Sequence, residues 1–261
     1  MTYEIIITAV SDRADLFEEC TESLLKQVDV LPTRLLVNED VRPGTSPGRI
    51  AEWLAGPSIT SRGIQVTHRA VPAGGMGPAI LWLLREARSA VVLHSQEDWL
   101  ALRQVPIARA LAAMSASPER VHHITFNKRK TMRSKHADKP GQEWFKVEVQ
   151  IPVDDGTYQT CCVNDHWRTQ LGLWRIARVL PAAEHCAAST PDAHKFAPAI
   201  NAWMNQTYGD GRKWNDQKMR DERIGTYIWG PIAEPAFIQH LGYGRTTGSA
   251  RANEKPTRPA Q

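Results

Sequence analysis

Apolar residues along this chain switch repeatedly between short β-rich runs and stretches with helical spacing. Residues 4–10 are rich in β-branched side chains and end in Ser11-Asp12-Arg13, a turn that can cap a helix. Leu16, Cys20, Leu24 and Leu25 then recur at helical spacing, with Asp15 in the first turn and Lys26 near the last. A second strand is predicted over 34–37, closed by Asn38-Glu39-Asp40 ahead of Pro43-Gly44. The theme repeats with a short helix over 50–54, a strand over 65–68, and the loop Gly74-Gly75-Met76-Gly77-Pro78. That loop opens a helix over 79–87, and Pro78 suits its first turn. An apolar strand over 91–94 follows and delivers Gln96, Glu97 and Asp98 at its carboxyl end. Strands alternating with helices predict a mostly parallel sheet with right-handed crossovers.

The second half reads less regularly. An amphipathic helix is predicted over 103–114 and a strand over 121–126. The arms 143–151 and 157–163 form a hairpin around Asp154-Asp155-Gly156, an Asp-Gly turn signal. Thr190-Pro191-Asp192 begins a helix through Met204, with Thr190 as cap, Pro191 in the first position and Asp192 complementing the dipole. Short strands over 224–229 and 236–239 end in His240-Leu241-Gly242, and from Thr246 onward no periodicity remains, so a disordered basic tail is expected over 246–261. The fold class that follows is α/β in one domain, with helices on both faces of the sheet and a small antiparallel C-terminal part.

Composition narrows the classes. Hydrophobic content of 42% and charged content of 23% exclude general disorder. No apolar run approaches the roughly 20 residues that span a bilayer. The first segment has no basic stretch ahead of an apolar one, so it reads as a strand rather than a signal peptide, and a cytoplasmic location is expected. Cys20, Cys161, Cys162 and Cys186 show no zinc-ligand spacing and read as buried thiols. The net charge of +4 is mild but uneven. Lys128, Arg129, Lys130, Arg133, Lys135 and Lys139 fall close together, interrupted by Asp138 alone among acids. Such a loop is either a phosphate-neutralising surface, with Trp144 and Phe145 as a stacking platform, or simply solvated.

The candidate chemistry begins at Glu97-Asp98. Open α/β sheets bind ligands at the carboxyl ends of their strands, and two carboxylates there suit Mg²⁺ or Mn²⁺ bridging to substrate phosphates. The fingerprint G-x-G-x-x-G is missing after the first strand, which argues against a dinucleotide-binding Rossmann domain. Near the second arm of the hairpin, Asn164-Asp165-His166-Trp167 offers a second carboxylate and an imidazole.

Taken in order, these pieces resemble the family 2-like glycosyltransferases of the GT-A fold. The matching residues are Arg13 after the first strand, the pattern from Leu16 to Gln27, Asn38-Glu39-Asp40, the helix start from Gly74 to Ala79, and Gln96-Glu97-Asp98 in the position of the D-x-D motif. Gln96 departs from that motif: an amide orients a water or a ribose hydroxyl but ligates metal weakly, leaving Asp98 to carry the ion. Trp99 after the acids is similar to the Glu-Asp-Asp-Trp variant of phage-encoded members. The stretch from His166 and Trp167 to Arg175 resembles their His-Trp-x-x-x-Pro-x-Leu-x-Arg, with Leu171 or Gly172 where Pro stands.

The resemblance implies that residues 1–126 form the nucleotide-sugar half and 127–245 the acceptor half of one domain. It implies nucleotide-sugar contacts from Arg13, Asp40, Gly74, Gly75, Gln96 and Glu97, and Mn²⁺ or Mg²⁺ on Asp98 and His240. Acceptor contacts are expected from His166 and Trp167 together with the basic Lys128, Arg129, Lys130 and Arg133. Asp192, which its capping role already explains, and Asp165 are the candidate bases. The implied activity is metal-dependent transfer of a sugar from a nucleotide diphosphate sugar, a UDP-sugar first, to a hydroxymethylated pyrimidine such as 5-hydroxymethylcytosine or 5-hydroxymethyluracil in DNA, in the host cytoplasm if the chain is phage-encoded. The alternatives are a glycosyltransferase acting on a cell-surface glycan precursor and a nucleic-acid-binding protein without chemistry.

Overall fold

The computed structural model describes residues 2–45, 47–72, 74–126, 148–164, 167, 169–187, 193–208, 225–231 and 233–241. In chain order the elements are β1 (Glu4–Val10), a 3-10 turn (Ser11–Arg13), α1 (Ala14–Gln27), β2 (Arg34–Val41), α2 (Arg49–Leu54), α3 (Pro57–Thr60), β3 (Gln65–Pro72), α4 (Met76–Glu86), β4 (Val91–Gln96) and β5 (Trp99–Ala101). There follow α5 (Ile107–Ala116), β6 (Val121–Thr125), β7 (Glu148–Pro152), β8 (Tyr158–Asn164), β9 (Gly172–Arg175), α6 (Ile176–Ala187), α7 (Ala193–Tyr208), β10 (Gly225–Trp229) and β11 (Ile238–His240).

Nine strands make one sheet in the order β3-β2-β1-β4-β9-β6-β10-β8-β7, and β11 pairs with β5 in a separate ribbon. The pairs β3/β2, β2/β1, β1/β4 and β6/β10 are parallel. β9 runs antiparallel between β4 and β6, and β8 antiparallel between β10 and β7. The sheet is therefore mixed but mostly of one strand direction. Alternation along the buried strands sends neighbouring side chains to opposite helix layers. Ile5, Ile7, Val91 and Leu93 join a core with Phe17, Leu24, Ile50, Leu111 and Met114. Ile6 and Val92 join a second core with Ile80, Leu83, Val179, Phe196 and Ile200 on the other face. Among the described residues no helix is long and apolar enough to cross a membrane.

Several boundaries differ from the sequence reading. β2 continues to Val41 instead of closing at 37, because β3 also runs on and pairs with it as far as Val41↔Pro72. α5 starts at Ile107, not 103. Leu102 N–H is taken by the Phe237 carbonyl and Val105 N–H by the Gln27 carbonyl, which holds the preceding chain extended up to Pro106. The strands β5 and β9 and the helix α6 were not expected from the pattern. The hairpin is present as β7 and β8, with 143–147 outside the described residues. The tail over 246–261 also lies outside them.

At the centre of the sheet His94 is fully buried and its ring stacks on Trp174, with centroids 4.0 Å apart and planes 13° from parallel. Burial pushes its pKa down to about 3 from the ordinary 6.5, so the folded protein holds it neutral. In the unfolded chain it protonates first. Stability is thus fully present above pH 6.5 and is lost as pH falls toward 3, by up to about 1.4 kcal/mol per pH unit from this one group. Urea midpoints at pH 7 and pH 5 check this. His94→Phe, which keeps a ring on Trp174, is expected to lose less stability between the two pH values than wild type; equal losses would remove His94 as the cause.

Candidate active site

The topology creates a crevice before any ligand is considered. From β1 the chain goes through β2 to β3 on one side, then crosses back to lay β4 on the other side of β1. This is the switch point where open α/β sheets leave room at their carboxyl ends. Thr8 of β1 is level with both Asn38 of β2 and Gln96 of β4, so the carboxyl ends of the three strands lie within a few residues of one another.

From the end of β4 the chain turns sharply. Glu97 N–H donates to the Thr8 carbonyl at 3.3 Å, and β5 then pairs antiparallel with β11 so that Trp99 faces His240. Leu241 N–H donates to the Asp98 carbonyl at 2.8 Å. This ribbon brings His240 Nε2 to 3.1 Å from Asp98 Oδ2, with the Trp99 and His240 rings 4.5 Å apart. Across the crevice the 3-10 turn after β1 presents Arg13, whose Nη1 lies 3.1 Å from Glu97 Oε1 and 3.4 Å from Asp98 Oδ2. The two acid side chains are each only 8% exposed. Burial, and after it the adjacent Asp98 carboxylate, push the Glu97 pKa up, and Arg13 opposes that shift.

Among the described residues no group of three or more His, Cys, Asp or Glu is arranged around a common metal position, and Glu97 is engaged by Arg13. Two groups do converge, Asp98 and His240. Asp98 Oδ1 is buried and has no hydrogen-bond partner among the described residues. An unsatisfied carboxylate oxygen beside an imidazole fits Mn²⁺ or Mg²⁺, ions that complete their shells with water and phosphate oxygens.

A second group lies at the end of β2. Asp40 accepts hydrogen bonds from Gly75 N–H at 3.2 Å and from Asn38 Nδ2 at 3.1 Å. Burial pushes its pKa up, against the pull of these bonds and of the Gly74 backbone. Gly75 has φ of 83°, the left-handed region open to glycine, and this lets the loop turn its N–H toward Asp40 as α4 begins. Gln96 is engaged locally, its Oε1 accepting from Trp99 Nε1 at 3.1 Å and its amide directed at Met76 Sδ.

The sequence reading missed Arg69, which reaches the Asn38 that bonds Asp40, and the Trp82 ring beneath it. Arg69 of β3 donates through Nε and Nη2 to Asn38 Oδ1 and lies 4.2 Å over the Trp82 ring of α4. The strand read as ending at 68 hid Arg69 in a presumed loop. Trp167 is 2% exposed, its ring is 4.5 Å from Trp174 and 6.4 Å from Phe196, and it belongs to the core beneath α7. A large aromatic next to a polar motif serves packing as readily as recognition, and here Asn201 accepts its backbone N–H at 2.6 Å. Lys128, Arg129, Lys130, Arg133, Asp165, His166 and Asp192 lie outside the described residues.

Solved structures share this architecture. TarS 1-349 from S. aureus aligns with a TM-score of 0.55 at 13% identity, over 93% of this chain and 61% of that one. The same protein in complex with UDP-GlcNAc gives 0.52 at 12% identity, over 93% and 61%, and in complex with UDP 0.52 at 12%, over 91% and 60%. The chain thus spans less than two thirds of the TarS chains it matches, and the likeness is one of fold: α/β, GT-A-like, around a large mixed sheet. No family profile and no curated protein matches the sequence.

Proposed function

We propose that the chain is a glycosyltransferase that takes a sugar from a UDP-sugar, with Mn²⁺ or Mg²⁺, and transfers it to the hydroxymethyl group of a modified pyrimidine in DNA. The observation that carries the reading is the convergence of Arg13, Glu97, Asp98 and His240 at the switch-point crevice, next to the Asp40–Gly75 cradle. TarS 1-349, which shares the fold, was crystallised with UDP and with UDP-GlcNAc, and this supports a uridine diphosphate donor here.

In this reading Asp40 and the Gly74-Gly75 backbone contact the nucleoside, and Gln96 and Glu97 line the floor beneath the sugar. The acceptor oxygen attacks the anomeric carbon as the bond to the diphosphate breaks, and a carboxylate takes the hydroxyl proton; Asp192 and Asp165 are the candidates. Asp98 and His240 would hold the divalent ion, which when bound offsets charge on the leaving diphosphate. The DNA acceptor is supported by the basic sequence around Lys128, Arg129, Lys130 and Arg133 and by the pattern beginning at His166. A pyrimidine 5-hydroxymethyl group lies in the major groove or is reached by flipping the base.

The test is direct. The protein is incubated with hydroxymethylated or ordinary DNA and a panel of UDP-sugars, with and without Mn²⁺, and the DNA is digested to nucleosides for mass spectrometry. A hexose or N-acetylhexosamine increment on the hydroxymethylated nucleoside alone is the expected product. UDP release without any DNA product would overturn the acceptor and leave the donor reading; no UDP-sugar turnover and no UDP binding would overturn both.

A further inference from the structure

We propose that Arg13 is a tethered counter-ion of the Glu97–Asp98 pair, one that yields Asp98 to the divalent ion and then turns its charge to the donor's diphosphate. This rests on the metal reading given above and adds an order of events to it.

Two like charges side by side and almost out of water are unfavourable unless a cation is with them. In the structure that cation is Arg13, and a single nitrogen, Nη1, serves both acids. A guanidinium normally meets a carboxylate with two N–H groups in a fork. Here Nε and Nη2 make no hydrogen bond among the described residues, and the side chain is 19% exposed, so part of the fork is uncommitted. Arg13 also closes the 3-10 turn that runs straight into the 14-residue α1. The uncommitted nitrogens of the guanidinium suit an anion. On the other side, Asp98 is 6% exposed and its Oδ1 lacks a partner among the described residues, so the site holds an acceptor that Arg13 leaves unsatisfied and a metal ion would take.

The consequence is linkage. Mn²⁺ alone must compete with Arg13 for Asp98 and binds weakly. A nucleoside diphosphate gives the displaced guanidinium a new partner, so each ligand strengthens the other, and by equal factors.

The experiment titrates Mn²⁺ by the electron paramagnetic resonance signal of the free ion, alone and with UDP, on the full chain. Wild type, Arg13→Gln, Arg13→Lys and Asp98→Asn are compared. Arg13→Gln is expected to bind Mn²⁺ alone on the order of tenfold more tightly than wild type, and the gain from UDP should shrink by a similar factor. Arg13→Lys should keep the weak binding of Mn²⁺ alone. If Arg13→Gln binds Mn²⁺ alone no more tightly than wild type, while Asp98→Asn abolishes binding, the counter-ion role falls and the metal site stands. If no protein binds Mn²⁺ with or without UDP, both fall. Thermal melts guard against a folding defect: Arg13→Gln should melt lower than wild type without metal and gain more from added Mn²⁺. A deficit that Mn²⁺ does not repair would count against the proposal.

Discussion

Asp98→Asn is expected to reduce UDP-sugar turnover by roughly 10²–10³-fold or more, the scale seen when one group that stabilises developing charge is removed, while the thermal midpoint stays within a few degrees of wild type. The sequence suggests a solvent-facing carboxylate whose removal even to alanine leaves the fold intact. In the structure Asp98 is 6% exposed and lies against both His240 and Arg13, so alanine would leave a hole and strand both partners. Asparagine keeps the volume and an acceptor oxygen toward His240 or Arg13. It also removes one of two repelling buried charges and leaves Arg13 matched to Glu97 alone. Chemistry and stability should therefore separate. Turnover measured beside a circular dichroism melt decides the matter: a variant with near wild-type turnover would end the assignment of Asp98 to the metal, and one that has lost its folded signal would show the carboxylate to be structural.

The acids and the first four strands were legible in the sequence for one reason. A parallel strand ending in charged residues, preceded by a helix of clear period, has few other readings. His240 could be named only through the family resemblance, because a three-residue strand carries no pattern of its own. β9 was illegible for a different reason. Gly172, Leu173 and Trp174 are all buried, so the period-2 alternation that marks a half-exposed strand is absent. α6 contains Pro181, which reads as a breaker although the helix continues through it. Arg69 was lost because β3 is an edge strand with none of its residues buried, and the pattern stops before the strand does. The site was thus visible where local pattern and sheet topology coincide, and hidden where distant segments supply the partner: Arg13 on the acids, Arg69 on Asn38.

Gly172→Ala is expected to cost about 3 kcal/mol of folding stability, at the upper end of overpacking costs, because nothing near the new methyl group can move cheaply. A Cβ there would lie 2.7 Å from the Ile124 backbone oxygen, 2.9 Å from His123 Nε2 and 3.1 Å from Thr125 Cα. Two of the three contacts are backbone of β6, and Gly172 is paired on both sides, with His94 of β4 and Thr125 of β6. Relief would require β9 to back away from β6 and break the ladder that joins the two halves of the sheet. Gly74→Ala is the control. Its Cβ meets only the Pro72 oxygen at 3.8 Å, so stability should change by less than about 1 kcal/mol, and any effect should appear in donor binding. Urea unfolding of both variants makes the comparison. A Gly172→Ala protein within 1 kcal/mol of wild type would mean that β9 is not threaded between β4 and β6. The strand that leads into Glu97 and Asp98 would then lack the neighbour that fixes its far side.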